Sequence, residues 1–434
     1  MYEKVSELIR NADTVSHIGK IENIIGLSME ASGGKCSIGD IVEIYSEEMG
    51  REVAAEVVGF RDGRLQLMTY ESNNGITSGS FVRNTGHRLR IPVGEFLKGR
   101  IINAIGEPID GKEAFPYNCD FYTVNSGYSN PLSRPPIRNR LNMGVKAIDG
   151  LNTIGKGQRI GIFAGSGVGK STLLGMIAKN VTSDLNVIAL VGERGREVLE
   201  FVERDLGPEG MKRTVLVVAT SDQPSMMRLK APLVATTIAE YFRDQGMDVL
   251  LMMDSLTRFA MAQREIGLAT GEPPIARGYT PSIYSEFPKL LERAGQFKKG
   301  SITGIYTVLV EGDDTNEPIA DTVRGILDGH IVLSRALAAQ NHYPAIDIGA
   351  SISRLMVELV SPEHRKMASR MRNILGIYQK NADLIAIGAY KKGTNPALDE
   401  AVEKYGAINR FLMQGTQESF TYEETLEAMH TAVG

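Results

Sequence analysis

One glycine-rich stretch constrains the fold of this chain more than any other feature. The apolar run Arg159-Ile-Gly-Ile-Phe163 leads into a loop rich in glycine, and the residues from Leu173 to Lys179 have helical character. This strand–loop–helix order is the context of a phosphate-binding loop, in which glycines let successive backbone N–H groups point at an anion. Lys170 is then expected on the β- and γ-phosphates and Ser171 on Mg²⁺. The stretch predicts a nucleoside triphosphate site formed by Ala164, Gly165, Ser166, Gly167, Val168, Gly169, Lys170, Ser171 and Thr172.

The composition narrows the class of protein. The 434 residues suffice for two to four domains with buried cores. The 48 basic and 52 acidic side chains nearly balance, which argues against a polybasic protein that coats nucleic acid or a membrane. Only two cysteines are present and the six histidines have no zinc-like spacing, so we expect reduced thiols in a cytoplasmic protein. The charged N-terminus and the lack of an apolar run of ~20 residues predict neither a signal peptide nor a membrane span.

Changes in the pattern of residue types divide the chain into four segments. Residues 1–14 favour a helix, and residues 15–91 contain short alternating runs between glycine turns, which is typical of a small closed β-barrel. In residues 92–362 a proline-rich connection, strand-like near Ile101 and Phe121, precedes β-type runs that alternate with helical ones, which predicts a mostly parallel sheet covered on both faces. The predicted strands include residues 186–191, 214–219 and 248–253, and a helix is predicted over 197–205. Residues 363–434 are helical and charged. The predicted fold class is therefore multidomain α/β. A barrel of this kind can also bind nucleic acid, but this one lacks clustered basic and aromatic residues, which favours a structural or ring-forming role.

Acidic residues at strand ends are candidates for catalysis, because ligands of parallel sheets bind at the carboxyl ends of the strands. The very apolar run Val249–Met253 leads into Asp254, which we expect to hold Mg²⁺ through its water shell. The run Asn186–Val191 ends two residues before Glu193, a candidate to orient and polarise the attacking water. The alternatives are an ordinary strand-ending aspartate and a surface glutamate.

An arginine ends the run Ser351-Ile-Ser-Arg354. An arginine at a loop end is commonly a surface charge. The alternative is an arginine finger, which donates positive charge to the γ-phosphate of a neighbouring subunit and raises the rate by roughly 10³–10⁵. The residues alone leave both interpretations open.

Taken together, these motifs resemble those of the hexameric ATPases related to the α and β subunits of rotary ATP synthase, and within them the ATPases of type III protein export, specifically flagellar export. The resemblance runs from the barrel to about Gly415, and Ala164, where the strict loop motif has glycine, is also what this family shows. The segments that carry it begin at Gly144, Ile162, Gly192, Arg228, Glu240, Asp254, Glu272 and His342, the last leading into Pro344-Ala-Ile-Asp-Ile-Gly-Ala-Ser-Ile-Ser353.

The resemblance implies a RecA-like central ATPase domain and a role for each matching residue. Lys170 and Ser171 match the phosphate-loop pair, Glu193 the catalytic carboxylate and Asp254 the acid of the magnesium site. Arg194 and Arg258 match basic residues near the γ-phosphate, and Arg354 matches the arginine finger. Tyr343 resembles the aromatic residue that packs on adenine, and Phe411 is expected to close that pocket from the C-terminal domain.

Because Glu193 and Arg354 belong to one chain, a ring can be built from copies of it, with sites at the interfaces and six subunits expected. The partners that the resemblance implies are a stator-like negative regulator at the N-terminus, a coiled-coil central stalk protein, export gate membrane proteins and chaperone–substrate complexes, with no nucleic acid. The protein is then expected in the cytoplasm, peripherally associated with the inner-membrane export apparatus. The hydrophobic face of Val5, Leu8 and Ile9 suits the regulator, although a frayed end fits equally well.

Four alternatives stay open at this stage. They are an injectisome secretion ATPase, a subunit of a rotary synthase or pump, a nucleotide-binding structural subunit, and a nucleic-acid translocase. Glu193 argues against a non-catalytic subunit, and the even charge balance argues against a translocase.

Overall fold

A computed structural model describes residues 18–124, 130–310 and 317–434. The predicted N-terminal helix at residues 1–14 lies outside the described residues. The first described strands form a closed barrel in the order β1-β2-β5-β4-β3-β6. These strands are β1 (Ile18–Ile25), β2 (Ser28–Ser32), β3 (Asp40–Ser46), β4 (Arg51–Arg61), β5 (Arg64–Thr69) and β6 (Phe81–Arg88). Alternate residues such as Val42 and Ile44 fill the barrel interior, so the period-2 pattern of the sequence has its expected meaning.

The proline-rich connection is ordered around the next domain. Strands β7 (Arg90–Val93) and β9 (Asp120–Thr123) pair with each other, and β8 (Ile101–Asn103) joins the edge of the central sheet by pairing with a later strand. Strands β10 (Arg140–Leu141) and β11 (Ile154–Gly155) form a further small sheet. The strand character predicted near Ile101 and Phe121 is therefore confirmed.

The central sheet has nine strands, and its main path runs β19-β18-β12-β17-β15-β13-β14-β8. The pairs along this path are parallel except β18 with β19, and β16 adds an antiparallel strand to β17. The mostly parallel sheet is thus confirmed. Besides β8, its strands are β12 (Arg159–Ala164), β13 (Leu185–Glu193), β14 (Thr214–Thr220), β15 (Asp248–Asp254), β16 (Gly295–Gln296), β17 (Ser301–Leu309), β18 (Gly329–Leu333) and β19 (Ile346–Ser353).

Helices cover both faces of this sheet, as predicted. On β13, Val187 and Ala189 belong to one hydrophobic core and Ile188 and Leu190 to the other, so the strand is buried on both faces until Glu193, its partly exposed last residue. The α-helices up to the end of the sheet region are α1 (Lys146–Leu151), α2 (Lys170–Asn180), α3 (Gly195–Glu200), α4 (Gly207–Lys212), α5 (Ser225–Asp244), α6 (Leu256–Thr270), α7 (Ser282–Leu291), α8 (Pro318–Ile326), α9 (Arg335–Ala339) and α10 (Met356–Leu359).

The helix predicted over 197–205 differs in detail. It starts at Gly195 and changes at Phe201 into a π-helical turn that ends at Leu206. This turn buries Asp205 against Gly175 of α2, where an added Cβ would lie 2.6 Å from the aspartate Cβ. Close helix packing therefore sets the local geometry, and helical periodicity alone does not report it.

The C-terminal residues form the helical region that the sequence predicted. Its helices are α11 (Pro362–Lys380), α12 (Ala382–Ala386), α13 (Pro396–Leu412) and α14 (Tyr422–Val433). Their buried faces share a core with α1 and α2, so this region packs directly on the face of the sheet that carries the phosphate loop. Among the described residues, no helix combines the length and apolarity needed to span a membrane.

Candidate functional site

The glycine-rich loop connects a central strand to a helix. Strand β12 lies between β17 and β18 and ends at Ala164, and α2 begins at Lys170. Gly167 (φ 78°) and Gly169 (φ 91°) take left-handed conformations, and Gly169 immediately precedes the helix. Side chains with a Cβ strain these conformations, so glycine is needed here. The free N–H groups at the start of α2 therefore face the loop, as anion binding requires.

A cleft of about 780 Å³ opens above this loop, within the size range of nucleotide and cofactor pockets. It lies at the carboxyl ends of the parallel strands, where the sequence predicted it. The structure brings most of the candidate residues to it. Those that line the cleft are Gly165, Ser166, Gly167, Gly169, Lys170, Ser171, Thr172, Glu193, Arg194 and Arg258. Ala164 and Val168 are buried beneath the loop.

Three charged groups meet at the base of the cleft. The Lys170 ammonium contacts the Asp254 carboxylate and lies 3.6 Å from Glu193 Oε1. Thr307 on the adjacent strand donates its hydroxyl to Asp254 Oδ1 at 2.7 Å. Burial alone would lower the pKa of Lys170, but the two carboxylates outweigh it and raise that pKa, so the lysine stays cationic. The buried Lys170 ammonium therefore lies where the phosphates of a bound nucleotide are expected.

The carboxyl group of Glu193 has an unusual proton affinity. Burial raises the pKa of Glu193 to about 7, and the negative charges of Asp254 and Glu197 act in the same direction, while Lys170 opposes them. A carboxylate with a pKa near the working pH is suited to general base catalysis. Glu193 lies at the end of β13, beside Thr220, the last residue of β14. The strand tip thus holds the carboxylate over the phosphate loop.

Two arginines flank Glu193 in different environments. The Arg194 side chain is 75% exposed and forms an ion pair with Glu197 at 3.8 Å. The Arg258 stem instead lies against Gly192, where an added Cβ would be 3.1 Å from it. Within the described residues, the buried Arg258 Nε has no hydrogen-bond partner. An unpaired buried donor is costly, so this guanidinium is suited to an incoming anion.

The residues present fit a magnesium ion that is held mainly by phosphate and water oxygens. Ser171 lines the cleft and offers a hydroxyl at the start of α2. Asp254 is not among the described lining residues, and its buried carboxylate contacts Lys170 at the base of the cleft. In the described part of the chain, no cluster of three or more His, Cys, Asp or Glu side chains could hold a metal by itself. Mg²⁺ commonly binds through one or two protein oxygens plus substrate phosphates, which matches this donor set. Ser171 and Asp254 would hold the ion.

The two aromatic candidates lie in different places. Tyr343 is 40% exposed, and its ring borders the loop glycine Gly169, so it lies beside the phosphate loop. Phe411 is 4% exposed and packs against Gly150 of α1, in the core beneath the C-terminal helices. The cleft lining formed by described residues includes neither Tyr343 nor Phe411. An apolar side chain on the inner face of α13 is held by that core.

Gln414 is the residue from the C-terminal region that reaches Tyr343, and sequence reasoning missed it. Its backbone N–H donates to the Tyr343 carbonyl at 3.0 Å, while its side chain accepts from Lys146 N and donates to the Gly144 carbonyl. A glutamine after a helix carries no sequence signal for this role, because its partners are roughly 70 and 270 residues away in the chain. Thr307, the partner of Asp254, was missed for the same reason.

Arg354 lies far from the cleft of its own chain. Its backbone N–H donates to the Asp328 carbonyl, and the Asp328 side chain binds Arg159, the first residue of β12. The phosphate loop begins at the other end of this strand, five residues on, which is about 17 Å along an extended chain. Arg354 is exposed, with one weak hydrogen bond to the Arg324 carbonyl at 3.4 Å. The structure therefore separates Arg354 from the other candidate residues.

Comparisons with known proteins cover nearly the whole chain. Residues 144–353 match the nucleotide-binding domain of the ATP synthase alpha/beta family, residues 21–86 its beta-barrel domain, and residues 360–431 the C-terminal domain of the type III secretion ATPase EscN. The flagellum-specific ATP synthase of Bacillus subtilis is 54% identical over 100% of this chain and 99% of its own length. The corresponding protein of Salmonella typhimurium is 47% identical over 96% of this chain and 93% of its own.

A secretion ATPase and a solved structure extend this likeness. The type 3 secretion system ATPase of Xanthomonas euvesicatoria is 48% identical over 95% of this chain and 93% of its own length. The assembled ATPase EscN from enteropathogenic E. coli superposes with a TM-score of 0.91 at 47% identity, over 96% of this chain and 100% of that one. The family resemblance inferred from the motifs is confirmed. The chain is a nucleotide-binding ATPase of the flagellar and type III secretion export family, which is related to the alpha and beta subunits of ATP synthase.

Proposed function

We propose that this chain hydrolyses ATP with Mg²⁺ at the interfaces of a homohexameric ring and thereby energises flagellar type III protein export. The energy would serve the release of chaperones and the unfolding and delivery of substrates to the export gate. Hydrolysis moves a substrate only if the nucleotide state changes the geometry of the ring. The C-terminal helices are the candidate lever, because Gln414 connects them to Tyr343 beside the loop.

Each cleft residue has a defined task in this proposal. Lys170 and the N–H groups of the loop bind the phosphates, and Ser171 and Asp254 hold Mg²⁺, which neutralises charge on the phosphates when bound. Glu193 accepts a hydrogen bond from the attacking water and takes its proton. Arg258 and Arg194 stabilise negative charge that develops on the γ-phosphate. Tyr343 packs on the base.

The observation that carries the interface proposal is the separation of Arg354 from its own cleft. About 17 Å of strand lies between the two ends of β12, and a single arginine side chain does not span it. An arginine that is exposed at the far end of the sheet is instead available to a neighbouring copy. Repeating this head-to-tail contact closes a ring when the rotation allows it. EscN, at 47% identity, has been solved as an assembled ATPase, which supports the same arrangement here.

A flagellar role is favoured over an injectisome role by the comparison with Bacillus subtilis. That flagellum-specific protein matches 100% of this chain at 54% identity, whereas the secretion ATPase of Xanthomonas euvesicatoria reaches 48% over 95%. A catalytic subunit of a rotary synthase or pump is the less favoured alternative, because the C-terminal helices match the secretion family instead.

The proposed partners follow from the same relatives. EscN forms a complex with its central stalk EscO, and that structure superposes with a TM-score of 0.89 at 46% identity, which supports a coiled-coil stalk as a partner here. A stator-like negative regulator at the N-terminus, gate proteins of the inner membrane and chaperone–substrate complexes complete the proposal. The protein would then act in the cytoplasm at the export apparatus, and nucleic acid is not among its proposed partners.

Mixing two inactive variants tests the interface directly. Lys170→Ala removes the phosphate lysine and Arg354→Ala removes the finger, so each variant alone should be inactive. In an equal mixture, one interface in four joins an intact cleft to an intact arginine, so about a quarter of wild-type ATPase activity should return. Lys170→Ala mixed with the Lys170→Ala/Arg354→Ala double variant is the control and should stay inactive. Mixed rings without recovered activity would refute the proposal.

A further inference from the structure

The backbone at the tip of β13 is held by the loop that follows β14. The Glu193 carbonyl accepts a hydrogen bond from the Ser221 N–H at 3.0 Å. The pairing of the two strands shifts register between Val191 and Glu193, so the ordinary ladder is interrupted just before the candidate base. A strand end with an irregular ladder depends on its neighbouring loop for its position. The loop from Thr220 to Pro224 therefore helps to place Glu193.

This loop is closed by its own side chains and by one arginine. Gln223 accepts from the Thr220 N–H at 3.1 Å through its side-chain oxygen. Arg228, in the first turn of α5, donates from Nε to the Gln223 carbonyl at 3.1 Å. Arg228 thus binds the backbone of the loop that holds the tip of β13.

The other end of the same guanidinium binds helix α6. Arg228 Nη1 lies 3.2 Å from Glu265 Oε1, and Nη2 lies 2.5 Å from Oε2, which is a bidentate pair. Ser225 completes the group by contacting Glu265 and accepting from Arg228. Glu265 is seven residues, or two helical turns, beyond Arg258 on α6 and so lies on the same side of this helix.

The ion pair between Arg228 and Glu265 is largely shielded from solvent. The Arg228 side chain is 15% exposed and the Glu265 side chain 35%. Burial would raise the pKa of Glu265, but hydrogen bonds from Arg228 and Ser225 outweigh it and lower that pKa, so the carboxylate stays charged. Both residues line a second cavity, between the barrel and the sheet edge, and neither lines the nucleotide cleft. Their influence on nucleotide chemistry is therefore indirect.

We propose that Arg228 is a positioning residue that fixes the distance between Glu193 and Arg258. Arg228 links the loop 220–224, which holds the tip of β13, to helix α6, which carries Arg258. Glu193, which orients the water, and Arg258, which stabilises charge on the γ-phosphate, therefore form one rigid unit. The inference rests on the proposed function of Glu193. Because Lys170 and the loop glycines are not part of this unit, Arg228 governs turnover and leaves nucleotide binding to other residues.

The test compares Arg228→Ala, Arg228→Lys and Glu265→Ala in the full-length chain, with ATPase kinetics and binding of MgADP as readouts. A displacement of about 1 Å at a catalytic group costs up to about 100-fold, so Arg228→Ala should lower kcat about 10- to 100-fold. The KM for ATP and the affinity for MgADP should stay within about threefold. Arg228→Lys keeps the positive charge but loses the planar guanidinium that binds both oxygens of Glu265. Its kcat should therefore lie between those of wild type and Arg228→Ala.

The pH profile separates positioning from a merely structural role. The fall of kcat/KM at acid pH reports the pKa of the base in the free enzyme. If Arg228→Ala lets the tip of β13 relax, the pH at which kcat/KM falls should change. The control is Arg370→Ala, which breaks an exposed arginine–glutamate pair between α11 and α13 and should leave kinetics and pH profile unchanged.

Glu193→Gln serves as the reference variant. If it is inactive while folded Arg228→Ala keeps kcat within twofold of wild type, the positioning role is overturned and the proposed function stands. If Glu193→Gln retains substantial turnover, the assignment of the base itself falls. Should Arg228→Ala not fold, Glu265→Ala decides, because it removes both oxygens that link Arg228 to α6: a loss of kcat at constant KM supports the role, and wild-type kcat refutes it.

Discussion

At the residue scale, the cleft depends on how two acids and one lysine share a buried space. Lys170 contacts Asp254 and approaches Glu193, so the three side chains together carry one net negative charge while both acids are ionised. The repulsion between the acids and their burial keep the proton affinity of Glu193 high. The same burial that suits Glu193 to its proposed role as a base also makes its ionisation sensitive to each nearby charge.

Glu197→Gln should therefore shift the pH dependence of hydrolysis. Glu197 raises the pKa of Glu193, which is about 7, through a hydrogen bond and its charge, after the larger effects of burial and of Asp254. The base acts when it is deprotonated, so wild-type kcat/KM should fall as pH drops below about 7. Removal of the Glu197 charge should lower the pKa of Glu193 and move this limb to lower pH.

Rates of ATP hydrolysis between pH 5.5 and 8.5 provide the measurement. Arg196→Ala, which breaks an exposed ion pair on the same helix, is the matched control and should keep the wild-type limb. A limb that stays in place in Glu197→Gln would contradict the role of this charge.

Residues in local motifs could be predicted, whereas residues whose role depends on distant contacts could not. The placement of Lys170, Ser171 and Glu193 in one cleft follows from strand ends and loop spacing. Gln414 and Thr307 were missed because their partners, Tyr343 and Asp254, lie on other elements. Phe411 was expected at the base pocket, but its periodicity on α13 equally suits the core in which it lies.

At the element scale, α11 is fixed to the ATPase domain by a buried histidine. His364 Nε2 lies 2.7 Å from the Gly150 carbonyl, which can only accept, so Nε2 carries the proton. Nδ1 is then free to accept from the Tyr422 hydroxyl at 2.8 Å. One neutral ring thus connects α11 to α1 and α14, and it ties the C-terminal helices to the domain that holds the phosphate loop.

Acid should weaken this connection. Burial lowers the pKa of His364, and the hydrogen bond to Gly150 opposes this shift only in part. Below about pH 6.5, His364 is protonated in the unfolded chain but stays neutral in the folded chain. The free energy of unfolding should therefore fall as the pH drops below about 6.5. In His364→Gln no ring titrates, and the loss of melting temperature between pH 7.5 and 5.5 should be smaller than in wild type.

Thermal unfolding at each pH gives the comparison. His430→Gln, at an exposed position in the last turn of α14, is the control and should keep the wild-type dependence. Equal pH dependence in His364→Gln and wild type would show that this histidine does not set it.

Apolar strands were predictable, whereas some helices of the sheet region were not. Strands β13, β14 and β15 lie within two residues of the predicted runs because each is apolar and ends in a polar residue. Helices α7 and α8 were not predicted. Proline interrupts the pattern of α7 at Pro288, and α8 has only nine residues, so neither offers a long periodic stretch.

At the scale of the whole molecule, activity should depend on assembly. Arg354 is separated from the cleft of its own chain, so an isolated chain lacks the cation that a neighbour would lend. Loss of an arginine finger costs roughly 10³–10⁵ in rate, so a monomer should be slower than the ring by at least about 10³. Specific activity should therefore fall steeply on dilution.

Sedimentation and ATPase rates measured on the same dilution series test this. Arg354→Ala is the control, because its low activity should not change as rings dissociate. Constant specific activity across the transition from ring to monomer would contradict the interface site.

The hydrogen bond from Gln414 to the Tyr343 carbonyl bears on how mechanical load on the C-terminal helices would affect nucleotide binding. Gln414 follows α13 by two residues, so this bond joins the end of the C-terminal helices to the backbone of Tyr343, whose ring borders the loop glycine Gly169. Thermodynamic coupling is reciprocal for binding. If nucleotide exchange bends these helices, then a load that resists the bending must alter how tightly the nucleotide is held, and the motor would sense the resistance of its cargo.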